Sequence, residues 1–253
     1  MLDKLKTAHD TEEATDHLGG GSYGVVESNV YQMEIKNMYM IQSAKGAIGV
    51  VLEGELDNGS KYTETTYISN RDGETFYVKD GKKFKMPGFI TMDNICIIAT
   101  GESLVDCRTD DKVVSMWDSE SGKEVNRSVP VFVDVIGEVI AVAIQQIREN
   151  KTKENSTTGK WEPINEERIL NQIVSVYDVE SQKTVYEAMN DKDSTHWEAW
   201  KTKNEGKVWD KYKEVTGGGA GGRKGSPRKS IAQTSAEEGT EAAAPKKNLF
   251  KKK

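Results

Sequence analysis

Histidine, cysteine and long apolar runs are scarce in this chain, and each scarcity removes a class of function. Three His and two Cys in 253 residues leave neither a disulfide framework nor a zinc ligand set. Cys96 and Cys107, ten residues apart in the intervening sequence and with apolar neighbours at Cys96, read as reduced thiols. His9, His17 and His196 lie far from one another and from the carboxylates of the central region. No Ser or Cys occupies a GxSxG setting and no GxxxxGK[ST] phosphate loop occurs. The sequence offers no catalytic residue, and neither enzyme activity, metal nor cofactor is expected. No apolar run approaches the ~20 residues of a membrane span. The opening MLDKLKTAHDTEEATDHLGGGS lacks the apolar core of a signal peptide, so a cytoplasmic protein without membrane contact is expected.

What the chain does have is charge, unevenly spread. Charged residues make up 30% and hydrophobic ones 36%, the latter below the usual ~45–50% of globular proteins. From Gly217 to Lys253 nine Lys/Arg face three Glu, a net of +6; with −6 for the whole chain, residues 1–216 carry −12. A basic tail on an acidic body marks an interaction segment. Residues 1–24, with Gly19–Ser22, read as a flexible arm. Residues 217–253 hold too few large apolar side chains to offset the entropy of ordering and are expected to be disordered.

The region between has a period of two. Tyr31, Met33, Ile35, Asn37, Tyr39 and Ile41 alternate with mostly polar partners and predict a first strand. Ile48–Leu56 predicts a second, Asp57-Asn58-Gly59 a hairpin turn, and Lys61–Ser69 a third strand. Phe76–Val78 and Phe84 flank a turn at Asp80-Gly81. Thr91–Thr100 predicts a short helix capped by Thr91 or Asp93 and closed by Gly101. Val113–Trp117 and Val131–Val135 are short apolar runs. Gly137–Arg148 and Arg168–Asp178 predict two pairing strands, joined by a polar loop of about twenty residues. Lys192–Val215, with Trp197, Trp200, Val208, Trp209 and Tyr212, predicts a terminal helix docked by its aromatic face, with Gly206 as a point of weakness. The expected fold is all-β: a five-stranded OB-fold barrel over 25–190 with a short helix, a C-terminal helix over 191–216 and a disordered basic tail over 217–253.

OB-folds hold oligonucleotides on the outer strand face and flanking loops, with aromatic rings for bases and cations for phosphates. Lys36, Tyr39, Lys45, Lys61, Tyr62, Tyr67, Arg71, Tyr77, Lys83 and Lys85 interleave these types along the strands. Arg148, Lys151, Lys153 and Trp161 add them in the long loop. Tyr39 and Tyr62 alternate in phase with Ile41 and Ile68, a phase that suits a core role equally well. Tyr67 is out of phase with Ile68, and Trp161 lies in polar sequence, so these two are the better stacking candidates. Glu53, Glu55 and Asp57 share one strand face and offer the alternative of a metal-dependent nuclease.

Four blocks then bear on kinship: GVVESNVYQMEIKNMYMIQSAKGAIGVVLEGEL, TETTYISNRDGETFYV, MPGFITMDNICIIATGESL and VPVFVDVIGEVIAVAIQQ. Together, over roughly residues 24–187, they resemble phage single-stranded DNA-binding proteins, most of all those of N-four-like podophages that package a virion RNA polymerase. The resemblance implies an OB-fold that coats single-stranded DNA in phage replication and recombination, in the cytoplasm of an infected bacterium. It also implies activation of host RNA polymerase at late promoters through C-terminal lysines, and contact with phage replication proteins. The chain departs from the acidic tip common among replication single-strand binders: it ends Lys246-Lys247-Asn248-Leu249-Phe250-Lys251-Lys252-Lys253. Leu249 and Phe250 between Lys246, Lys247, Lys251, Lys252 and Lys253 are the candidate partner-binding residues. A non-specific cationic tail that adds DNA affinity is the competing account.

Overall fold

The computed structural model describes residues 24–118, 121–156, 158–215 and 250. The N-terminal arm to residue 23 and all of the tail except Phe250 lie outside the described residues. The chain is mostly β-sheet, with three helices among the described residues.

Strand β1 (Asn29–Gln42) pairs antiparallel with β2 (Ile48–Leu56), which pairs with β3 (Lys61–Tyr67). The first half of β1 pairs with β8 (Val139–Glu154), and β8 with β9 (Trp161–Tyr177). A small hairpin, β4 (Phe76–Lys79) and β5 (Lys82–Lys85), turns at Asp80-Gly81 as expected. Helix α1 (Pro87–Thr100) follows, then a longer hairpin of β6 (Thr109–Asp118) and β7 (Lys123–Phe132). That hairpin joins the sheet where Val131 pairs with Tyr39. The sheet order is β10-β8-β1-β2-β3, with β9 on β8 and β6–β7 on β1. The short β10 (Trp209–Asp210) lies parallel to β8.

One irregularity in β1 explains how a single strand serves two apolar clusters. The register slips between Ile35 and Asn37, a bulge at Lys36, and a one-residue slip exchanges the faces. Met33 and Ile35 point into the main core before it; Met38 and Met40 take that side after it. Tyr39 and Ile41, expected in phase with Met33, instead join Val51, Val131, Val114, Met116 and Val129 in a second cluster under the β6–β7 hairpin.

The sheet does not close into the expected barrel. Among the described residues no ladder joins β3 to β9. A buried side chain spans the seam instead: Glu64 accepts hydrogen bonds from Ile173 N (2.8 Å), Tyr62 Oη (2.6 Å) and Thr66 Oγ1 (2.9 Å). Burial pushes the Glu64 carboxyl above its usual range, the three donors offsetting only part of that shift. A carboxylate thus supplies the acceptor that a neighbouring strand's carbonyl would otherwise present.

Helix α1 begins one turn earlier than expected, at Pro87, because proline suits the first helical position. Asp93 is not its cap. It is buried in the helix interior, where it accepts from Ser103 Oγ (2.6 Å) and Leu104 N (2.9 Å). Met92, Ile95, Cys96 and Ile98 place α1 in the main core. The predicted twenty-residue loop is largely a two-stranded ribbon, since β8 and β9 continue pairing out to Glu154 and Trp161. The terminal helix is shorter than expected: α3 (His196–Asn204) stops before Gly206, whose φ of 67° is left-handed. Trp200 is buried and Trp197 half-buried against Ala141, Ala143 and Tyr177, so the small alanines on β8 make room for the helix's aromatic face. Beyond Gly206 the chain runs along the ribbon, held by asparagine side chains. Asn150 exchanges two hydrogen bonds with the backbone of Lys213 (2.8 and 2.9 Å), and Asn165 two with that of Val215 (2.8 and 2.6 Å). No helix among the described residues is long and apolar enough to cross a membrane.

Candidate nucleic-acid interface

The outer face of β1–β2–β3 is built of cross-strand rows. Ile41, Gly49 and Tyr67 form one row; Tyr39, Val51 and Thr65 the next; Asn37, Glu53 and Thr63 the third; Glu34, Glu55 and Lys61 the last. The two ends differ in charge. At the far end Glu34, Glu55 and Asp57, with Gln32, Gly59 and Val139, line a cavity of about 340 Å³. That acidic concavity repels phosphate. The Tyr67 row sits six residues away along β2, roughly 20 Å. Two Debye lengths of about 8 Å fit in that span at physiological ionic strength, so the acidic end does not cancel cations placed around Tyr67.

Tyr67 is 45% exposed, and its position depends on a glycine. A Cβ on Gly49 would lie 3.3 and 3.4 Å from Tyr67 Cδ1 and Cε1, and 3.2 Å from Ile41 Cγ1. The ring therefore rests over Gly49, supported from below and open to solvent. Two cations converge on the same corner. Gly46, in the β1–β2 turn beside exposed Lys45, approaches the Arg71 carbonyl so closely that a Cβ there would stand 3.2 Å from it. Arg71 is itself exposed, with only a 3.6 Å contact to Asp72.

The β4–β5 hairpin springs from this corner. Met86 N donates to Thr75 O at its base (2.8 Å). A Cβ on Gly88 would clash with the Tyr67 carbonyl and Thr66 Cγ2, so only glycine lets α1 and the hairpin pack this tightly on β3. Tyr77, half-exposed, stacks on Phe84 (centroids 5.7 Å). Lys79 and Lys82 pair across the same turn. Lys83 Nζ lies 4.3 Å from the centroid of the Phe76 ring. Lys85 Nζ lies 5.4 Å from the Phe89 centroid and 3.8 Å from Asp93. Four lysines on ten residues, Phe76–Lys85, against one acid make this a local cationic patch on an acidic body. Lys45, Tyr67, Arg71, Tyr77, Lys83 and Lys85 are thereby brought to one end of the sheet.

The remaining sequence-predicted residues fall elsewhere. Tyr39 and Tyr62 are 4% and 6% exposed, so neither presents a ring face to a base. Tyr39 donates to Glu53 Oε1 (3.2 Å), and burial together with that carboxylate pushes its phenol up to about 12. Tyr62 belongs to the Glu64 seam. Lys36, the bulge residue, is ion-paired with Glu34 (2.7 Å) and Glu55 (3.7 Å) at the acidic end, and Lys61 stands opposite Glu55. Arg148 is committed to Glu167 (2.6 Å) and Asp210 (3.0 Å) and lies over the Tyr212 ring (4.7 Å). It fastens the departing chain to the ribbon. Lys151 pairs with Glu166 (3.2 Å). Lys153 and Trp161 are exposed toward the ribbon tip, on β8 and β9 opposite Glu162 and Glu154. Of the tail candidates only Phe250 is described; Lys246, Lys247, Leu249, Lys251, Lys252 and Lys253 lie outside the described residues.

Sequence reasoning missed the side of the β6–β7 hairpin that faces the Tyr39–Ile41 cluster. Lys112, Val114, Met116, Val125, Arg127 and Val129 share it, as their pairings and cluster membership require. The signal was present as period-two alternation on both sides of Ser121-Gly122. The carboxylates Glu53, Glu55 and Asp57 do not converge. Glu53 holds Asn37 and Tyr39, Glu55 faces Lys36, and Asp57 Oδ2 accepts from Gln32 N. No group of His, Cys, Asp or Glu among the described residues could hold a metal ion.

No protein-family model matches this chain, and no curated protein matches it either.

Proposed function

We propose that this protein binds single-stranded DNA without catalysis, at the corner formed by Tyr67, Lys45, Arg71 and the β4–β5 hairpin. The observation that carries the reading is the Tyr67 ring, laid over Gly49 with solvent on its open side and cations on its flanks. A ring of that kind supplies the π-face on which an unpaired base stacks, while Lys79, Lys82, Lys83 and Arg71 meet the backbone. The order β3-β2-β1-β8-β9, with α1 after β3, supports an OB-fold opened along the β3–β9 seam. In that fold the outer face of the central strands and the flanking loops carry oligonucleotides. The resemblance to phage single-strand binders points to replication and recombination intermediates as the DNA. It points to host RNA polymerase and phage replication proteins as partners of the basic tail.

Titrating an oligo-dT into the protein at two salt concentrations tests the proposal. Phosphate contacts release counterions, so affinity falls steeply with salt, and stacking near the exposed tryptophans quenches fluorescence. Absence of both retardation and quenching at low salt refutes it.

A further inference from the structure

The tail leaves one residue in contact with the folded body, and the place it occupies has a defined chemistry. Phe250 is half-buried and packs against the main apolar cluster. It shares a cavity of about 380 Å³ with Asp178, Glu180, Ser181, Lys183, Ala188 and Asp191. Three carboxylates and one ammonium therefore surround an apolar anchor. In the sequence that anchor stands between Lys246-Lys247 and Lys251-Lys252-Lys253. Charge and shape match in the way an aromatic residue with basic flanks requires.

The cavity wall is built independently of its occupant. The turn from β9 to α2 (Val185–Met189) is tied by Asp178 Oδ2, which accepts from Ser181 N and Ser181 Oγ (2.7 Å each). Asp178 N donates in turn to Lys183 O (3.0 Å). Helix α2 opens with a reciprocal cap: Thr184 Oγ1 accepts from Glu187 N and Glu187 Oε2 accepts from Thr184 N. Asp191, just past the helix, is held at φ 50°. A receptor fixed in advance loses little entropy when it is filled.

We propose that this corner is the receptor for the chain's own C-terminal motif, with Phe250 as its anchor. None of the cavity residues belongs to β1–β3 or to the β4–β5 hairpin, so the seated motif leaves the nucleic-acid corner uncovered. A second protein that recognises the lysine-flanked Phe250 must draw it out of this cavity. The body's own carboxylates thus compete with those of any partner for the same segment.

The test uses the full-length chain and a labelled peptide, KKNLFKKK, with no DNA present, so it stands or falls separately from single-strand binding. In the Phe250→Ala protein the cavity is empty. The peptide is expected to bind it at least ~10-fold more tightly than it binds the wild-type chain, whose cavity is filled by its own anchor. Binding is expected to be lost when the peptide's Phe is replaced by Ala. It is also expected to be lost when Glu180→Lys and Asp191→Asn are added to the Phe250→Ala protein; asparagine at 191 tolerates the positive φ while removing the charge. No binding to the Phe250→Ala protein at low salt overturns the proposal, and so does equal binding to the charge-altered protein. Hydrogen exchange over 178–191 provides a second readout that needs no peptide: Phe250→Ala is expected to speed it, and unchanged exchange overturns the assignment. If the wild type sediments as a dimer that Phe250→Ala dissolves, the anchor is exchanged between copies and the own-chain assignment fails.

Discussion

Replacing Tyr67 by Ala removes the one exposed ring on the strand face that has a support beneath it and cations beside it. Stacking on an aromatic ring contributes ~1–3 kcal/mol per base, so oligo-dT affinity is expected to fall ~5- to 150-fold. Tyr67→Phe keeps the π-face, and the hydroxyl has no hydrogen-bond partner among the described residues; it is expected to stay within ~2-fold of wild type. Gly49→Ala gives a sharper test. The added Cβ lies at 3.2–3.4 Å from Ile41 and the Tyr67 ring, tighter than ordinary contact, so the ring must shift off its support. In wild type this change is expected to weaken binding by ~2- to 5-fold. In the Tyr67→Ala background it is expected to do nothing, because the ring it displaces is gone. Fluorescence anisotropy of a labelled oligonucleotide across this four-protein cycle reads the coupling directly. Additive effects, or unchanged affinity in Tyr67→Ala, refute the assignment of the stacking surface.

Three further outcomes follow from the geometry. Lys82→Ala with Lys83→Ala is expected to lower affinity and reduce the salt slope by about two, whereas Arg148→Ala, already neutralised by Glu167 and Asp210, leaves the slope unchanged; equal slopes in both variants contradict the hairpin's role. Glu64→Leu strips the seam of its acceptor and leaves Ile173 N–H and the Tyr62 hydroxyl unpaired, and it is expected to cost ~2–5 kcal/mol in chemical denaturation; a loss under ~1 kcal/mol would show that the seam does not depend on this side chain. Glu187 and Glu64 act with opposite sign on acid stability. Burial raises the Glu187 carboxyl but the amides of Thr184, His196 and Thr195 outweigh it, and the net shift is downward. Its contribution is therefore present above the ordinary carboxylate range and lost as pH falls through the depressed value. Glu64 is shifted upward by burial, so its contribution is full at low pH and lost as pH rises through the raised value. Glu187→Gln is expected to flatten the acid limb of the stability profile and Glu64→Gln the limb above it; unaltered profiles contradict both.

Much of the central sheet was legible because β1, β2 and β3 alternate strictly and Asn58-Gly59 marks their turn. The phase of Tyr67 against Ile68 identified the exposed ring for the same reason. The bulge at Lys36 was not legible. Met38, Tyr39, Met40 and Ile41 offer apolar side chains to both faces, so period two continues through the slip without a visible break, and Tyr39 changes sides unseen. The ribbon beyond Arg148 was read as a loop because both of its faces are wet: Thr, Lys, Asn and Glu pair across it and leave no apolar stripe. Glu64 was invisible for the opposite reason. An acid in a Thr-rich strand reads as solvent-facing, and only the meeting of β3 with Ile173 from more than one hundred positions away shows that it is buried. The cationic character of the β4–β5 hairpin was plain in the sequence; its junction with Tyr67 depends on Gly88, which local pattern does not reveal.

The most direct measurement maps where DNA touches the protein. A 5-iodouracil-substituted oligonucleotide, photocrosslinked to the full-length chain and followed by peptide mass spectrometry, is expected to attach at Tyr67 and within Asn70–Lys85. Crosslinks confined to the Glu34–Glu55–Asp57 end, or to the tail with none on the sheet, would contradict the account.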